Sequence, residues 1–220
     1  TIHNVEYTLL FDLVANRGVA GVGFTLEKPQ DIIIDFRRTE LVTGVRVFDS
    51  NESVEYRLCN EHIVIPESET RAGRQGFSID FNVDNQSLNR RDEFLYTLLV
   101  PDRARTLFPC FDQPDIKAHY RLSLAIPEEW EAVSNTPVTT PEYDAEDWYD
   151  LDFGHTLPEG MKIVSFARTE PLSTYLFSFV AGKFQKRSYD DGHHRFTAYY
   201  RETDPKRLAQ LDTIFEQVAA

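Results

Sequence analysis

The sequence predicts a mainly β protein, and two observations support that prediction. Apolar and polar residues alternate along five long segments, a pattern typical of strands with one buried face. Shorter apolar runs separated by turn residues lie between them, as in a sandwich or a barrel. A single stretch with helical spacing stands at the C-terminal end.

The strand candidates cover most of the chain. The long ones are residues 5–13, 22–26, 32–36, 77–83 and 120–126. The shorter ones are residues 45–48, 56–58, 63–65, 163–166, 175–180 and 196–200.

Composition and charge narrow the class of protein. Of the 220 residues, 41% are hydrophobic and 27% charged, as in a globular domain. The net charge of −13 argues against nucleic acid and anionic membrane surfaces as partners, because both require clustered Lys and Arg. No apolar run approaches the roughly 20 residues of a membrane span.

The two cysteines form no recognisable motif. Cys59 and Cys110 have no CxxC spacing, and two cysteines are too few for a disulfide framework. We expect both to be free thiols packed inside the fold. The compartment stays open between an exported or periplasmic protein whose signal has been removed and a cytoplasmic one.

Two polar segments were considered as metal-binding sites, and the sequence favours neither. Residues 142–152 (EYDAEDWYDLD) hold six carboxylates, but they lack the spacing of a calcium loop, so an acidic connection in solvent is favoured over a cation site. His193 and His194 follow a DDG turn, which predicts an exposed hairpin rather than a metal site.

The C-terminal stretch changes period. Asp204 is an N-cap candidate followed by Pro205, and apolar residues then recur at helical spacing up to the chain end. We divide the chain into a β-sandwich domain, residues 1–202, and the start of a following domain, residues 203–220. The alternative is that this helix packs back on the sandwich.

No catalytic motif is present in the sequence. None of the six His residues opens an HExxH motif, and no GxSxG, Walker-type or GxGxxG pattern occurs. Cys110 lies in an aromatic, proline-bounded segment, which favours packing over nucleophilic chemistry. We therefore expect no catalytic residue, metal ligand or cofactor in this chain, and no enzyme activity from it alone.

One block of residues is more specific. Residues 101–114 read PDRARTLFPCFDQP, which resembles the EPTxARxxFPCFDEP signature of M1-type (gluzincin) zinc aminopeptidases. Ser134 and Asn135 open a segment similar to the family's SNxP, and residues 173–184 resemble its STYLxxFxxGxF strand. The blocks stand in the family's order, and the resemblance covers nearly the whole chain.

The resemblance implies a fold and a function. The fold would be the family's N-terminal domain, a saddle-like antiparallel β-sandwich that packs on its own downstream thermolysin-like catalytic domain. The zinc, the HExxH motif and the peptide substrate would belong to the longer protein, which would remove N-terminal residues from peptides. This domain would be non-catalytic and would help to shape the substrate cleft.

The signature residues have a structural interpretation. Pro109 and Pro114 bracket a rigid turn. Asp112 is expected either to cap backbone amides or to pair with Arg105. Three further residues are expected to pack this turn on the sandwich: Phe108, Cys110 and Phe111.

The sequence departs from the family at Val100, which precedes Pro101. The family usually has Glu or Gln there, which helps to bind the α-amine of the substrate. Valine accepts no hydrogen bond, so we expect Val100 and Pro101 to line the cleft without binding the amine. Two alternatives remain: a scaffold domain of a catalytically degenerate M1-like protein, and an independent ligand-binding β-sandwich.

Overall fold

The computed structural model describes residues 1–48, 50, 52–139, 149, 152–154 and 156–219. Strands form in all five long alternating segments, and the fold is mainly β. Within the described residues the strands are β1 (Ile2–Asp12), β2 (Arg17–Leu26), β3 (Ile32–Asp35), β4 (Val42–Val47), β5 (Arg57–Cys59), β6 (His62–Ile65), β7 (Gly73–Asn82), β8 (Leu88–Arg91), β9 (Phe94–Thr97), β10 (His119–Pro127), β11 (Glu131–Ser134), β12 (Met161–Ser165), β13 (Phe179–Gly182), β14 (Gln185–Asp190) and β15 (Arg195–Tyr200).

The largest sheet has six strands in the order β12-β10-β1-β2-β7-β4. The pairs are antiparallel except one: β1 and β10 run parallel, with Tyr7 opposite Tyr120. The sandwich is therefore not purely antiparallel. Within the large sheet, the pairing of β1 with β10 joins two parts of the sequence that are more than a hundred residues apart.

Two smaller sheets cover the inner face of the large sheet. One has the order β11-β13-β9-β8 and the other β3-β6-β5, and their buried side chains share one core with β1, β2, β7 and β10. Aromatic rings join the layers: the centroids of Phe11 and Phe179 are 5.5 Å apart. Since the apolar faces of all these strands meet in one core, burial drives the assembly of the sheets.

The described residues cover the outer face of the large sheet only in part. At one end Tyr149 and Phe153 pack on Leu10, Val19 and Ala125. The hydroxyl of Tyr149 donates a hydrogen bond to Asp12 at 2.6 Å. The rest of the acidic segment 142–152, for which the sequence favours a connection in solvent over a cation site, lies outside the described residues except for Asp152.

The C-terminal region forms a hairpin and two helices. Strands β14 and β15 pair around a turn that holds His193 and His194. Helix α1 (Pro205–Leu208) begins at the predicted cap, where Asp204 accepts a hydrogen bond from the amide of Lys206 at 2.9 Å. Helix α2 (Gln210–Ala219) follows. No helix in the described residues is long and apolar enough to cross a membrane.

The helical stripe is partly covered by the hairpin. Phe215 is buried and stacks on Tyr189 with centroids 5.5 Å apart, whereas Ile214 and Val218 stay exposed. The end of the chain therefore contacts β14 through Phe215 and through an ion pair between Asp212 and Arg187, 2.7 Å apart. The domain boundary at residue 203 stays a prediction.

Two sequence expectations were wrong in detail. Residues 175–180 do not form one strand: a 3-10 turn covers Thr174–Leu176, and β13 begins at Phe179. Cys59 is exposed on the edge strand β5 and is not packed inside, whereas Cys110 is buried; both are free. β5 lies at the edge of its sheet and all three of its residues are exposed, so Cys59 has no cover from the core.

Candidate functional site

The segment that follows β9 carries the residues expected at the cleft. Along residues 95–100 buried and exposed side chains alternate, and three apolar side chains are exposed: Tyr96, Leu98 and Val100. The side chain of Val100 is 55% exposed, and the Val100–Pro101 bond is cis. Val100 therefore continues the outward row of the four-stranded sheet beyond the end of β9.

A 3-10 turn at Ala104–Thr106 anchors this segment to the core. The amide of Arg103 donates to the carbonyl of Leu99 at 2.9 Å, and the amide of Leu98 donates to the carbonyl of Ser87 at 3.0 Å. The hydroxyls of Ser87 and Thr106 are also hydrogen-bonded to each other inside the fold. The backbone on both sides of Val100 is thus held, so the exposed side chain has a defined position.

Asp112 joins two distant parts of the chain. Its Oδ2 accepts a hydrogen bond from the backbone amide of Arg105 at 3.1 Å, and its Oδ1 accepts one from the hydroxyl of Thr174 at 2.6 Å. The guanidinium of Arg105 instead lies 3.7 Å from Asp102. Of the two roles considered for Asp112, the structure has the cap and not the ion pair.

Asp35 supports Asp112 from the end of β3. Its Oδ2 accepts hydrogen bonds from the amide of Asp112 at 2.8 Å and from the side-chain amide of Gln113 at 2.9 Å. Its Oδ1 lies 3.1 Å from Nε2 of His62. The backbones of Asp35 and Cys110 also exchange two hydrogen bonds, of 2.8 and 3.1 Å. A buried carboxylate is tolerated here because both oxygens have partners.

An aromatic cluster lies beneath the turn. Phe108 is fully buried, and its ring centroid lies 5.9 Å from that of Tyr7 and 5.6 Å from that of Phe177. The hydroxyl of Tyr7 accepts a hydrogen bond from the amide of Phe111 at 2.8 Å. Pro109 and Phe111 are buried as well, while Pro114 is exposed. The FPCF segment is therefore part of the core.

The loop after β11 is bound to the same region. The hydroxyl of Ser134 donates to the carbonyl of Ser178 at 2.8 Å. Asn135 donates to the carbonyl of Leu176 at 3.0 Å and accepts from the amide of Ser178 at 2.9 Å. Ser173 donates to the carbonyl of Pro114 at 2.7 Å. Three sequence blocks that are far apart in the chain thus meet at one end of the sandwich.

Electrostatics indicate a structural role for Cys110. Burial raises the pKa of its thiol well above the usual range, and the negative charges of Asp112 and Asp35 raise it further. The thiol therefore stays protonated at neutral pH, and a protonated thiol is a poor nucleophile.

Comparisons with known proteins place this arrangement in a family. The sequence model described as the peptidase M1 N-terminal domain matches residues 62–176, just over half of the chain. The chain belongs to this family. The matched residues include the FPCFD turn and several of the alternating strands.

Named aminopeptidases are among the relatives that match this chain. Over 210 residues the chain is 27% identical to glutamyl aminopeptidase of Rattus norvegicus, an alignment that covers 83% of this chain and 20% of that protein. Over 81 residues it is 42% identical to aminopeptidase N of Acetobacter pasteurianus, covering 36% of this chain and 19% of that protein. Over 102 residues it is 32% identical to tricorn protease-interacting factor F2 of Thermoplasma volcanium, covering 46% of this chain and 11% of that protein. The chain spans about a fifth or less of the length of these relatives.

Because the family resemblance implies a zinc enzyme, the described residues of this M1 N-terminal domain were compared with the ligand set that zinc needs. A protein zinc site takes three or four ligands from Cys, His, Asp and Glu. In the part of the chain that the structure describes, no three such side chains lie together. The described residues therefore do not fit a zinc site.

Sequence reasoning missed some residues of this site. Asp35 and Tyr7 hold the FPCFD turn from β3 and β1, and neither was expected to have a role there. A signal for Asp35 existed, since a single carboxylate inside the apolar run IIIDF must find partners if it is buried. No local pattern marks the hydroxyl of Tyr7, because its partner, the amide of Phe111, is 104 residues away.

Replacing Asp112 by alanine is expected to destabilise this M1 N-terminal domain by about 1–2 kcal/mol. The substitution leaves the amide of Arg105 and the hydroxyl of Thr174 without their acceptor. Urea denaturation followed by tryptophan fluorescence measures the change. Asp115→Ala, in the same turn but exposed, is the matched control and should change stability by less than about 0.5 kcal/mol. Equal midpoints for the two variants would contradict the proposed cap.

Proposed function

We propose that this chain is the non-catalytic N-terminal domain of a zinc aminopeptidase that removes N-terminal residues from peptides. Membership of the M1 N-terminal domain family supports the proposal, as do the names of the relatives, glutamyl aminopeptidase and aminopeptidase N. In this proposal the zinc, its ligands and the general base belong to the part of the longer protein outside this chain. The metal would activate a water molecule and polarise the scissile carbonyl.

The domain's role in this proposal is to shape the substrate cleft, and the observation that carries it is the exposure of Val100. An apolar side chain that is 55% exposed lies on a segment held by hydrogen bonds on both sides. A rigid segment that presents apolar side chains is suited to packing against another domain or a substrate. We assign the outward row that contains Val100 as the surface that lines the substrate cleft and packs against the catalytic domain.

Val100 also limits what this domain contributes to binding. A substrate with a free N-terminus carries an ammonium group, which needs a hydrogen-bond acceptor or a carboxylate. Valine supplies neither. We infer that Val100 and Pro101 form an apolar wall of the cleft, and that carboxylates outside this chain hold the ammonium.

The proposal is tested by comparing this chain with the full-length protein. Elemental analysis should find one zinc per full-length protein and none in residues 1–220. Only the full-length protein should hydrolyse aminoacyl reporter substrates, and a chelator should abolish that activity. Tightly bound zinc or hydrolysis in the isolated chain would contradict the division of roles.

A degenerate M1-like scaffold is the second candidate function, and Val100 is the observation that favours it. A protein that no longer cleaves peptides has no need of an acceptor for their amine. The two candidates differ in the residues that follow this chain in the longer protein. An HExxH motif there would favour the aminopeptidase, whereas its loss would favour the scaffold.

A further inference from the structure

A polar groove crosses the half of the large sheet's outer face that the described residues leave open. It lies beyond the part that Tyr149 and Phe153 cover, and its volume is about 420 Å³. The central strands β1 and β2 form its floor, and residues of β7 and β10 line its sides. The cleft segment around Val100 does not contribute to it.

Glycines keep the groove open. Gly21 faces the ring of Phe48, and a Cβ at this position would lie 2.2 Å from Cε2 of that ring. Gly23 and Gly76 are opposite each other on β2 and β7, and a Cβ on Gly76 would lie 2.9 Å from the carbonyl oxygen of Val22. Larger residues would displace Phe48 or the neighbouring backbone, so the β2 part of the floor is bare backbone beside an aromatic wall.

Positive charge is concentrated at this groove, although the whole chain carries −13. Arg74 forms a close ion pair with Oε1 of Glu6. Arg121 lines the groove, whereas Arg168 lies beside it and reaches the same carboxylate; each has a nitrogen 3.9 Å from the other oxygen, Oε2. One carboxylate therefore faces three guanidinium groups, which leaves two positive charges without a counter-charge in this group.

Arg121 and Arg168 have hydrogen-bonding capacity to spare. At 3.9 Å their nitrogens are too far from Glu6 for a hydrogen bond. Within the described ranges neither guanidinium donates to any other side chain or carbonyl. Their side chains are 38% and 43% exposed, so a ligand in solvent can reach both guanidinium groups. Two guanidinium groups that converge on one point are suited to a planar or tetrahedral oxyanion.

We propose that this groove binds a compact oxyanion with two negative charges, a phosphate group or a dicarboxylate, between Arg121 and Arg168. Two negative charges balance the excess of the arginine group, and each guanidinium offers a pair of N–H donors to the ligand oxygens. Glu6 competes with the ligand for the same arginines and holds Arg74 in place. The ring of Phe48 gives the organic part of the ligand an apolar surface.

The test is a titration of the ¹⁵N-labelled chain with inorganic phosphate and, separately, with succinate, at constant ionic strength. Saturable amide shifts are expected at Gly21, Gly23 and Gly76. The anion with the lower Kd identifies the ligand class as phosphate or carboxylate. Shifts that do not saturate with either anion would overturn the proposal.

Three variants separate binding from a structural ion pair. Arg121→Gln combined with Arg168→Gln should weaken binding at least tenfold, whereas Arg187→Gln, at a similarly exposed arginine of β14, should leave the Kd unchanged. Glu6→Gln should tighten binding several-fold, because it removes the competing carboxylate. An unchanged or weaker affinity in folded Glu6→Gln would overturn the proposal. So would equal Kd values for the Arg121 and Arg168 double variant and for Arg187→Gln.

Discussion

Val100→Glu in the full-length protein is expected to lower the KM for peptides with a free N-terminus, a result that depends on the proposed function. The new carboxylate would accept hydrogen bonds from the substrate ammonium. Such charge-assisted contacts contribute about 2 kcal/mol or more when they are shielded from water, which corresponds to roughly a 30-fold change. Because Val100 is exposed in a turn, the substitution buries no charge in this domain.

N-acetylated peptides provide the substrate control, because they carry no ammonium and should gain nothing. Leu98→Glu is the matched protein control: it places a carboxylate on the same exposed row two residues earlier. Steady-state kinetics with both substrate types and a melting curve for each variant complete the test. A folded Val100→Glu enzyme whose preference for free N-termini is unchanged would show that Val100 does not face the substrate amine.

The second large effect is a pH dependence of the folding stability, which we expect to arise from Asp152. Its side chain is only 8% exposed, and Oδ1 lies 3.3 Å from Nη2 of Arg46, which also binds Asp80 at 2.8 Å. Its other oxygen has no hydrogen-bond partner among the described residues. Burial raises the pKa of Asp152 to about 6, against the opposing effect of Arg46.

The sign of the pH dependence follows from this shift. The folded state holds the proton of Asp152 more tightly than the unfolded state, whose carboxyl has a pKa near 4. The contribution of Asp152 to stability is therefore complete below about pH 4 and is lost as the pH rises through 6. A shift of roughly two pKa units corresponds to about 3 kcal/mol.

Asp152→Asn should remove this dependence, since asparagine stays neutral. Relative to the unsubstituted protein, the variant should gain about 2–3 kcal/mol of stability between pH 4 and pH 7.5. Urea denaturation at both pH values measures the difference. Asp212→Asn, at an exposed carboxylate on α2, controls for the loss of one negative charge. If the stability difference between Asp152→Asn and the unsubstituted protein is the same at both pH values, Asp152 does not titrate as the structure indicates.

Several features of the fold were predictable because their causes are local. Alternation along β1, β2, β3, β7 and β10 marks the buried face of each strand, since successive side chains in a strand point to opposite sides. Asp204 and Pro205 mark the start of α1 for the same kind of reason, because a cap bonds within its own turn. The FPCFD block and its neighbours were sufficient to identify the family.

Other strands were missed because their sequences carry mixed signals. β8 reads LNRR and β14 reads QKRSYD, and neither alternates. They are strands because β9 and β15 offer them hydrogen-bonding edges. Pairing with a neighbour overrides weak local preference, which is why strand propensity depends on context.

The sequence by itself determined the family, the mainly β fold and the position of the FPCFD turn, because these depend on residue order and on alternation over a few residues. Only the tertiary structure decided that β1 pairs in parallel with β10, and that Asp112 holds both the amide of Arg105 and the hydroxyl of Thr174. It also brought Glu6, Arg74, Arg121 and Arg168 together from three strands and a loop. Apart from Arg105 and Asp112, which are seven positions apart, these contacts join residues more than sixty positions apart. A pattern of neighbouring residues carries no information about which distant strand edge a segment will meet.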